Sequence, residues 1–262
     1  MQNTNHALVK IEVKGPIAFL TLDNPPLNIL TERLLDELEK AVDSNLNKQG
    51  LRAIVLNAAG QKAFAAGADI SQFPHLDEHS GIVLVEKGKK IFDKLAGSEK
   101  PVICAIQGMA LGAGLELALA CDIRIAEEDA KLGLPDTGLG ILPGYAGTQR
   151  LPRLVGPGKA KEMILTGVLL TGREAYEKGL VERVVLKGQA LDAAIEMAEK
   201  IAAKGPLAIA KAKKAVDEGL EMPLAAGQDL ETQLFSELAE TADMQEGVKA
   251  FTEKRKANFS GA

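Results

Sequence analysis

The chain has 262 residues, 46% hydrophobic and 26% charged, with a net charge of −5. That length and composition provide for one large domain, or a domain with an appendage, and a full core. Aromatics make up only 3% and Trp is absent, so neither stacking platforms nor a general basic field for nucleic acid is in hand.

Ala7–Val13 and Ile17–Leu22 read as two strands joined at Lys14-Gly15-Pro16. The N-terminal stretch MQNTNHALVK has no apolar core segment of a signal peptide, so a cytoplasmic location is the expectation. Asn24-Pro25-Pro26 forces an extended turn. Thr31–Asn47 has apolar residues at 34, 35, 38, 42 and 46, which is helical spacing. Ala53–Leu56 reads as a short buried strand, Lys62–Ile70 as a loop rich in Ala and Gly, and Pro74–Gly81 as a mobile surface stretch. Ile82–Leu95 has the pattern of an amphipathic helix.

The run from Val102 to Cys121 carries one charge, Glu116. A carboxylate in such a stretch is costly unless something uses it. Gln107, Gly108, Gly112 and Gly114 break the run, and Pro101, Asp122 and Arg124 flank it, so it is a buried strand and helix rather than a membrane span. The strand is Val102–Ile106, with a turn at Gly108 and a helix from about Gly112 to Ala120. Cys104 and Cys121, the only cysteines, lie in apolar sequence and read as buried free thiols. His6, His75 and His79 have no metal-ligand spacing with them, so no metal site is expected.

Ile123–Ala126 is the next strand. Gly133–Gly147 is rich in Gly and Pro and reads as irregular backbone. Thr171-Gly-Arg-Glu174 is a capping box for a helix through Lys178. From Leu191 onward the chain is helical, broken at Gly205-Pro206, Met222-Pro223 and near Asp243. Strand and helix in alternation, then helix alone, predict an α/β body over 1–190 and a helical C-terminal region over 191–262.

Several familiar sites are absent. There is no G-x-S-x-G elbow, and Gly158-Lys159 and Gly112-Ala-Gly114 lack the remaining residues of phosphate-loop and dinucleotide motifs. What remains is two turns and two carboxylates. Phe64-Ala-Ala-Gly-Ala-Asp69 and Gly112-Ala-Gly114 have small side chains that let a ligand approach backbone N–H groups. Tight helix–sheet packing accounts for the same residues. Glu116, in the first turn of its helix, fits a catalytic acid or a partner of the helix dipole. Asp136, in the Gly-rich segment, fits a second acid or a turn former.

Taken in order, Asn24-Pro-Pro-Leu-Asn28, AFAAGADI at 63–70, KPVICAIQGMALGAGLELALACDIRIA at 100–126, LGLPDTGLGILPGYAGTQRLPRLVG at 132–156, LTG at 165–167 and EGVKAFTEKRKANF at 246–259 resemble the enoyl-CoA hydratase/isomerase, or crotonase, family over nearly the whole chain. The resemblance implies a crotonase-like spiral of repeated ββα units with helical oligomerisation elements at the C-terminus. It implies an acyl-CoA thioester as substrate, no metal or redox cofactor, and self-association as a homotrimer or homohexamer. Ala66 and Ala113 match the two oxyanion N–H positions, and Glu116 one catalytic glutamate. Asp136 stands where the second is usually Glu, shorter by about 1.5 Å. Ala66, Gly67, Ala68, Asp69 and Gly112 match the substrate-binding loops. Phe235, Phe251 and Lys254 match residues that flank CoA, partly from a neighbouring subunit. Core packing for the Phe residues and a solvated Lys254 remain open. The expected activity is hydration of a 2-enoyl-CoA. Isomerisation of a 3-enoyl-CoA, hydration of a cyclic dienoyl-CoA, and acyl-CoA binding without turnover are the alternatives.

Overall fold

The computed structural model describes residues 6–46 and 48–262. The stretch Met1–Asn5 and the predicted helix end at Asn47 lie outside the described residues. An antiparallel hairpin opens the fold, β1 (Val9–Lys14) and β2 (Ile17–Leu22), turning at Gly15-Pro16. The helix α1 (Glu32–Leu46) follows, its first turn held by Thr31 Oγ1 accepting from Leu34 N–H at 3.2 Å. Leu34, Leu35, Leu38 and Val42 face inward from it, as their spacing requires.

Then a unit repeats three times. β3 (Ala53–Ala58) is followed by β4 (Ala63–Ala65) and, after a 3-10 helix at Ile70–His75, by α2 (Glu78–Ala96). Next, β5 (Val102–Ile106) is followed by β6 (Met109–Leu111) and α3 (Ala113–Leu119). Lastly, β7 (Ile123–Glu127) is followed by β8 (Lys131–Gly133), a 3-10 helix at Pro135–Leu139, and α4 (Gly147–Val155). The first strand of each pair joins a six-stranded sheet and the second a four-stranded sheet. This is the ββα spiral that the sequence resemblance implies.

Two expectations are corrected here. The segment Lys62–Ile70 contains a strand, β4, paired in parallel with β6. Pro74–Gly81 lies at the surface, as expected, but it is built into regular structure. It holds the end of the 3-10 helix and the start of α2. A capping box fixes it: Ser80 N–H donates to the Asp77 carboxylate at 2.8 Å, and Asp77 N–H donates to the Ser80 hydroxyl at 2.9 Å.

The chain continues through α5 (Pro157–Thr166), β9 (Leu170–Thr171), α6 (Gly172–Glu177) and β10 (Arg183–Val185). The predicted capping box at Thr171 and Glu174 starts α6. The large sheet runs β1-β2-β3-β5-β7-β10 and the small one β4-β6-β8-β9. Every residue of β5 is buried, as befits a parallel strand covered on both faces. One face of the large sheet supplies Leu20, Ile54, Leu56 and Ile106 to a core shared with Phe64, Phe92 and Leu115. Over the other face lies α7 (Ala190–Ala202), whose Ala190, Ala194 and Ala198 pack on Val55, Ile103 and Ile125.

Three further helices complete the chain, α8 (Pro206–Gly219), α9 (Leu224–Ser236) and α10 (Ala242–Thr252). A half-buried ion pair, Lys213 to Asp122 at 2.6 Å, ties α8 to the body. Leu220, Leu224, Phe235, Val248 and Phe251 in this region are exposed.

Candidate active site

The short helix α3 carries the first carboxylate. Gly112 enters it at φ +50° and ψ −125°, a conformation that a side chain would strain. Glu116 follows in the first turn and is 1% exposed. Its Oε1 accepts from Tyr145 N–H at 2.8 Å and Gly147 N–H at 2.7 Å. Oε2 makes no hydrogen bond among the described residues. Removal from water pushes the Glu116 carboxyl from 4.5 up to about 7; the Gly147 N–H opposes that rise and the Asp136 charge adds to it. At the far end of α3, Arg124 donates to the carbonyls of Cys121 at 2.6 Å and Leu180 at 3.1 Å, and pairs with Glu182. A buried cation at a helix C-terminus complements its dipole, and here it pins the helix in place.

Asp136 stands across from that turn. A Cβ built on Gly112 would lie 3.2 Å from Asp136 Oδ1, so the absence of a side chain makes room for the acid. The 3-10 helix that carries Asp136 is anchored by the Thr137 hydroxyl donating to the Ile164 carbonyl at 2.8 Å. Burial raises the Asp136 carboxyl above its ordinary 3.8. Its Oδ2 is buried with no hydrogen-bond partner among the described residues, a costly arrangement that a structural aspartate avoids.

The backbone N–H groups left free along the cleft are not quite those expected. Ala113 N–H, at the start of α3, is unpaired among the described residues. Ala66, expected as the first oxyanion donor, is corrected: its N–H donates to the Leu27 carbonyl at 2.9 Å and cannot face a substrate oxygen. The segment from Asn24 to Leu30 clamps this loop. Asn28, fully buried, donates to the carbonyls of Ala59 at 3.0 Å and Ala63 at 2.8 Å, and Leu30 N–H donates to the Gly67 carbonyl at 3.0 Å. Ala68 N–H is left unpaired among the described residues. Gly67, Ala68, Gly112, Ala113, Glu116 and Asp136 all line one cleft of about 770 Å³, and Ala66 borders it.

A family profile described as "Enoyl-CoA hydratase/isomerase" matches residues 12–262. The chain belongs to the enoyl-CoA hydratase/isomerase family. It is 40% identical over 249 residues to the short-chain-enoyl-CoA hydratase of Clostridium acetobutylicum, covering 95% of each chain. It is 39% identical over 238 residues to the mitochondrial methylglutaconyl-CoA hydratase of Mus musculus, covering 89% of this chain and 76% of that one. The crystal structure of an enoyl-CoA hydratase from Bacillus anthracis superposes with a TM-score of 0.94 at 40% identity, over 97% of this chain and 100% of that one.

Within this member of the hydratase/isomerase family, the remaining predicted site residues divide. Asp69 does not line the cleft; its carboxylate accepts from Ser71 N–H at 3.0 Å and caps the 3-10 helix Ile70–His75. Phe235, Phe251 and Lys254 are not brought to the cleft of their own chain. The two Phe side chains are 74% and 87% exposed, which also removes core packing as their role.

Tyr145 and Gly147 were not expected at the site. Their only sequence signal is the density of Gly around Tyr145, at 144 and 147. Tyr145 holds Glu116 through its backbone, while its ring meets Phe92 edge-on at a centroid distance of 5.4 Å. Its hydroxyl is buried with no hydrogen-bond partner among the described residues. An unsatisfied buried hydroxyl costs about 1–3 kcal/mol. Tyr145→Phe keeps the ring and the backbone donor, so its unfolding free energy, read from urea titration, is expected to rise by about 1 kcal/mol.

Proposed function

We propose that the cleft adds water reversibly across the 2,3 double bond of a 2-enoyl-CoA thioester, giving a 3-hydroxyacyl-CoA. One observation carries this reading: two carboxylates, Glu116 and Asp136, both held above their ordinary pKa, line one cleft with two unpaired N–H groups. The thioester oxygen accepts from Ala68 and Ala113 N–H, which stabilise the negative charge that grows on it as the enolate forms. A water between the acids gives its oxygen to C3 and its proton to Glu116 Oε2, and C2 takes a proton from the same pair. Proton and hydroxide are both accounted for, and no redox change occurs. The thioester carries its own CoA, so the chemistry as written calls on no further cofactor.

The test is hydration of crotonyl-CoA, followed by the loss of the conjugated thioester and the gain of 3-hydroxybutyryl-CoA. Asp136→Asn is expected to lower kcat by on the order of 10²-fold. Unchanged turnover in that variant overturns the two-carboxylate reading and leaves Glu116 as the one acid; absence of hydration in the wild type would instead make 3-enoyl-CoA isomerisation the activity to measure.

The CoA site is completed, in the same reading, by self-association. The exposed Leu220, Leu224, Phe235, Val248 and Phe251 support an apolar interface, with Lys254 offering its charge to the CoA phosphates. A trimer, or a hexamer made of two, is the expected mass in sedimentation equilibrium; a monomer would rule this assembly out.

A further inference from the structure

We infer that the acyl half of the cleft takes an uncharged aliphatic chain longer than four carbons and rejects one that ends in a carboxylate; this rests on the acyl-CoA reading above. The two relatives named here act on a short-chain enoyl thioester and on methylglutaconyl-CoA, respectively, by their names, so family membership leaves the acyl class open. The lining of this cleft narrows it.

Apart from Glu116 and Asp136, the only titratable side chain on the cleft wall among the described residues is Tyr145. Lys, Arg and His are all missing from that wall among the described residues. The guanidinium that interacts with Glu116 belongs to Arg150, and it is engaged by the Tyr145 carbonyl at 3.1 Å and by Asp93 of α2 at 2.5 Å. On the α2 side, Lys87 is bound to Glu32 and Asp36, and Lys89 to Glu86. A second carboxylate in the acyl tail would therefore leave water beside two acids and meet no cation. Both desolvation and like charge oppose that.

Apart from those three side chains, the wall is made of apolar residues and glycine. Helix α2 is fitted against the back of the cleft: a Cβ on Gly88 would come within 2.6 Å of the Tyr145 ring, and one on Gly144 within 3.1 Å of Val85. The Tyr145 ring thus sits in a notch in α2, and that end is closed. Outward, Ile70 and Leu76 on one lip and Leu139, Ile141 and Leu142 on the other continue the lining while remaining exposed. A four-carbon acyl group leaves this surface wet. A longer chain covers it, at up to about fourfold in affinity per methylene.

The experiment compares binding and turnover in matched pairs. Calorimetry with butanoyl-CoA, octanoyl-CoA and ω-carboxyoctanoyl-CoA gives affinities that do not depend on turnover. Octanoyl-CoA is expected to bind at least tenfold tighter than butanoyl-CoA and at least 10²-fold tighter than its ω-carboxy analogue, with the ω-methyl ester restoring binding. The matching 2-enoyl thioesters are expected to follow the same order in kcat/KM. Leu139→Ser combined with Leu142→Ser, at exposed positions where folding is not at stake, is expected to reduce the octanoyl-to-butanoyl ratio by about tenfold. An ω-carboxy analogue binding within threefold of octanoyl-CoA, or an octanoyl chain binding no better than butanoyl, overturns the inference. If the binding order holds while no thioester is hydrated, hydration is what fails and the acyl class stands.

Discussion

Glu116→Gln is expected to lower kcat on enoyl-CoA by about 10²–10⁴-fold, the range for loss of a positioned general base, while making the protein more stable at alkaline pH. The second half of that result separates a functional glutamate from a structural one. The native carboxyl titrates near 7 against 4.5 when solvated. Between these values the folded state binds more protons than the unfolded state, so stability falls as pH rises through that window. Above it the ionised Glu116 costs about 3 kcal/mol relative to acid pH. Gln has no such titration. Urea unfolding at pH 8 is expected to favour the Gln variant, with the advantage shrinking by pH 5. A structural salt-bridge glutamate would give the opposite sign. In the wild type, kcat/KM is expected to rise with pH as Glu116 ionises near 7. A flat profile from pH 5 to 8 would remove it as the base.

The second large effect comes from one added methyl group. In Gly147→Ala the new Cβ would stand 2.8 Å from Glu116 Oε1, 2.9 Å from its Cγ and 3.0 Å from the Pro143 side chain. None of these neighbours is a loose chain end. Either the glutamate or the start of α4 must move. A misplacement near 1 Å costs on the order of 10²-fold in rate, and overpacking costs about 1–3 kcal/mol in stability. Both losses are expected together, measured by crotonyl-CoA hydration and by urea unfolding. Gly158→Ala, in a helix start with nothing within 4 Å of the added atom, is the control and should leave both readings near wild type. Full activity in the Gly147 variant would mean that the clamp on Glu116 Oε1 does not position it.

Much of this arrangement is legible in the chain because it rests on local rules. The buried strand Val102–Ile106, the lone Glu116 in its apolar run, and the capping box at Thr171 and Glu174 each carry their signal within a few residues. The strands β4, β6 and β8 are three residues each, too short for an alternating pattern to declare itself. Helix α4 contains Pro152, which argues against a helix when read alone. The misplacement of the oxyanion donor at Ala66 has a different cause. In Ala-Ala-Gly-Ala every N–H is equivalent until a neighbouring segment takes one. Leu27 takes that of Ala66, and only register in three dimensions reveals that Ala68 is left over. The same holds for Asp69, whose carboxylate turns to its own helix start.

The clamp on Glu116 also sets an order of events in time. Its two donors lie at 145 and 147, and the carbonyl and carboxylate that hold Arg124 lie at 180 and 182. Chains are made from the N-terminus, and contacts between distant residues close late. A ribosome-bound chain that has just exposed α3 therefore displays an ordinary solvated carboxylate with no raised affinity for protons. The set of contacts that holds Glu116 and its helix is complete only when more than two-thirds of the polypeptide has emerged.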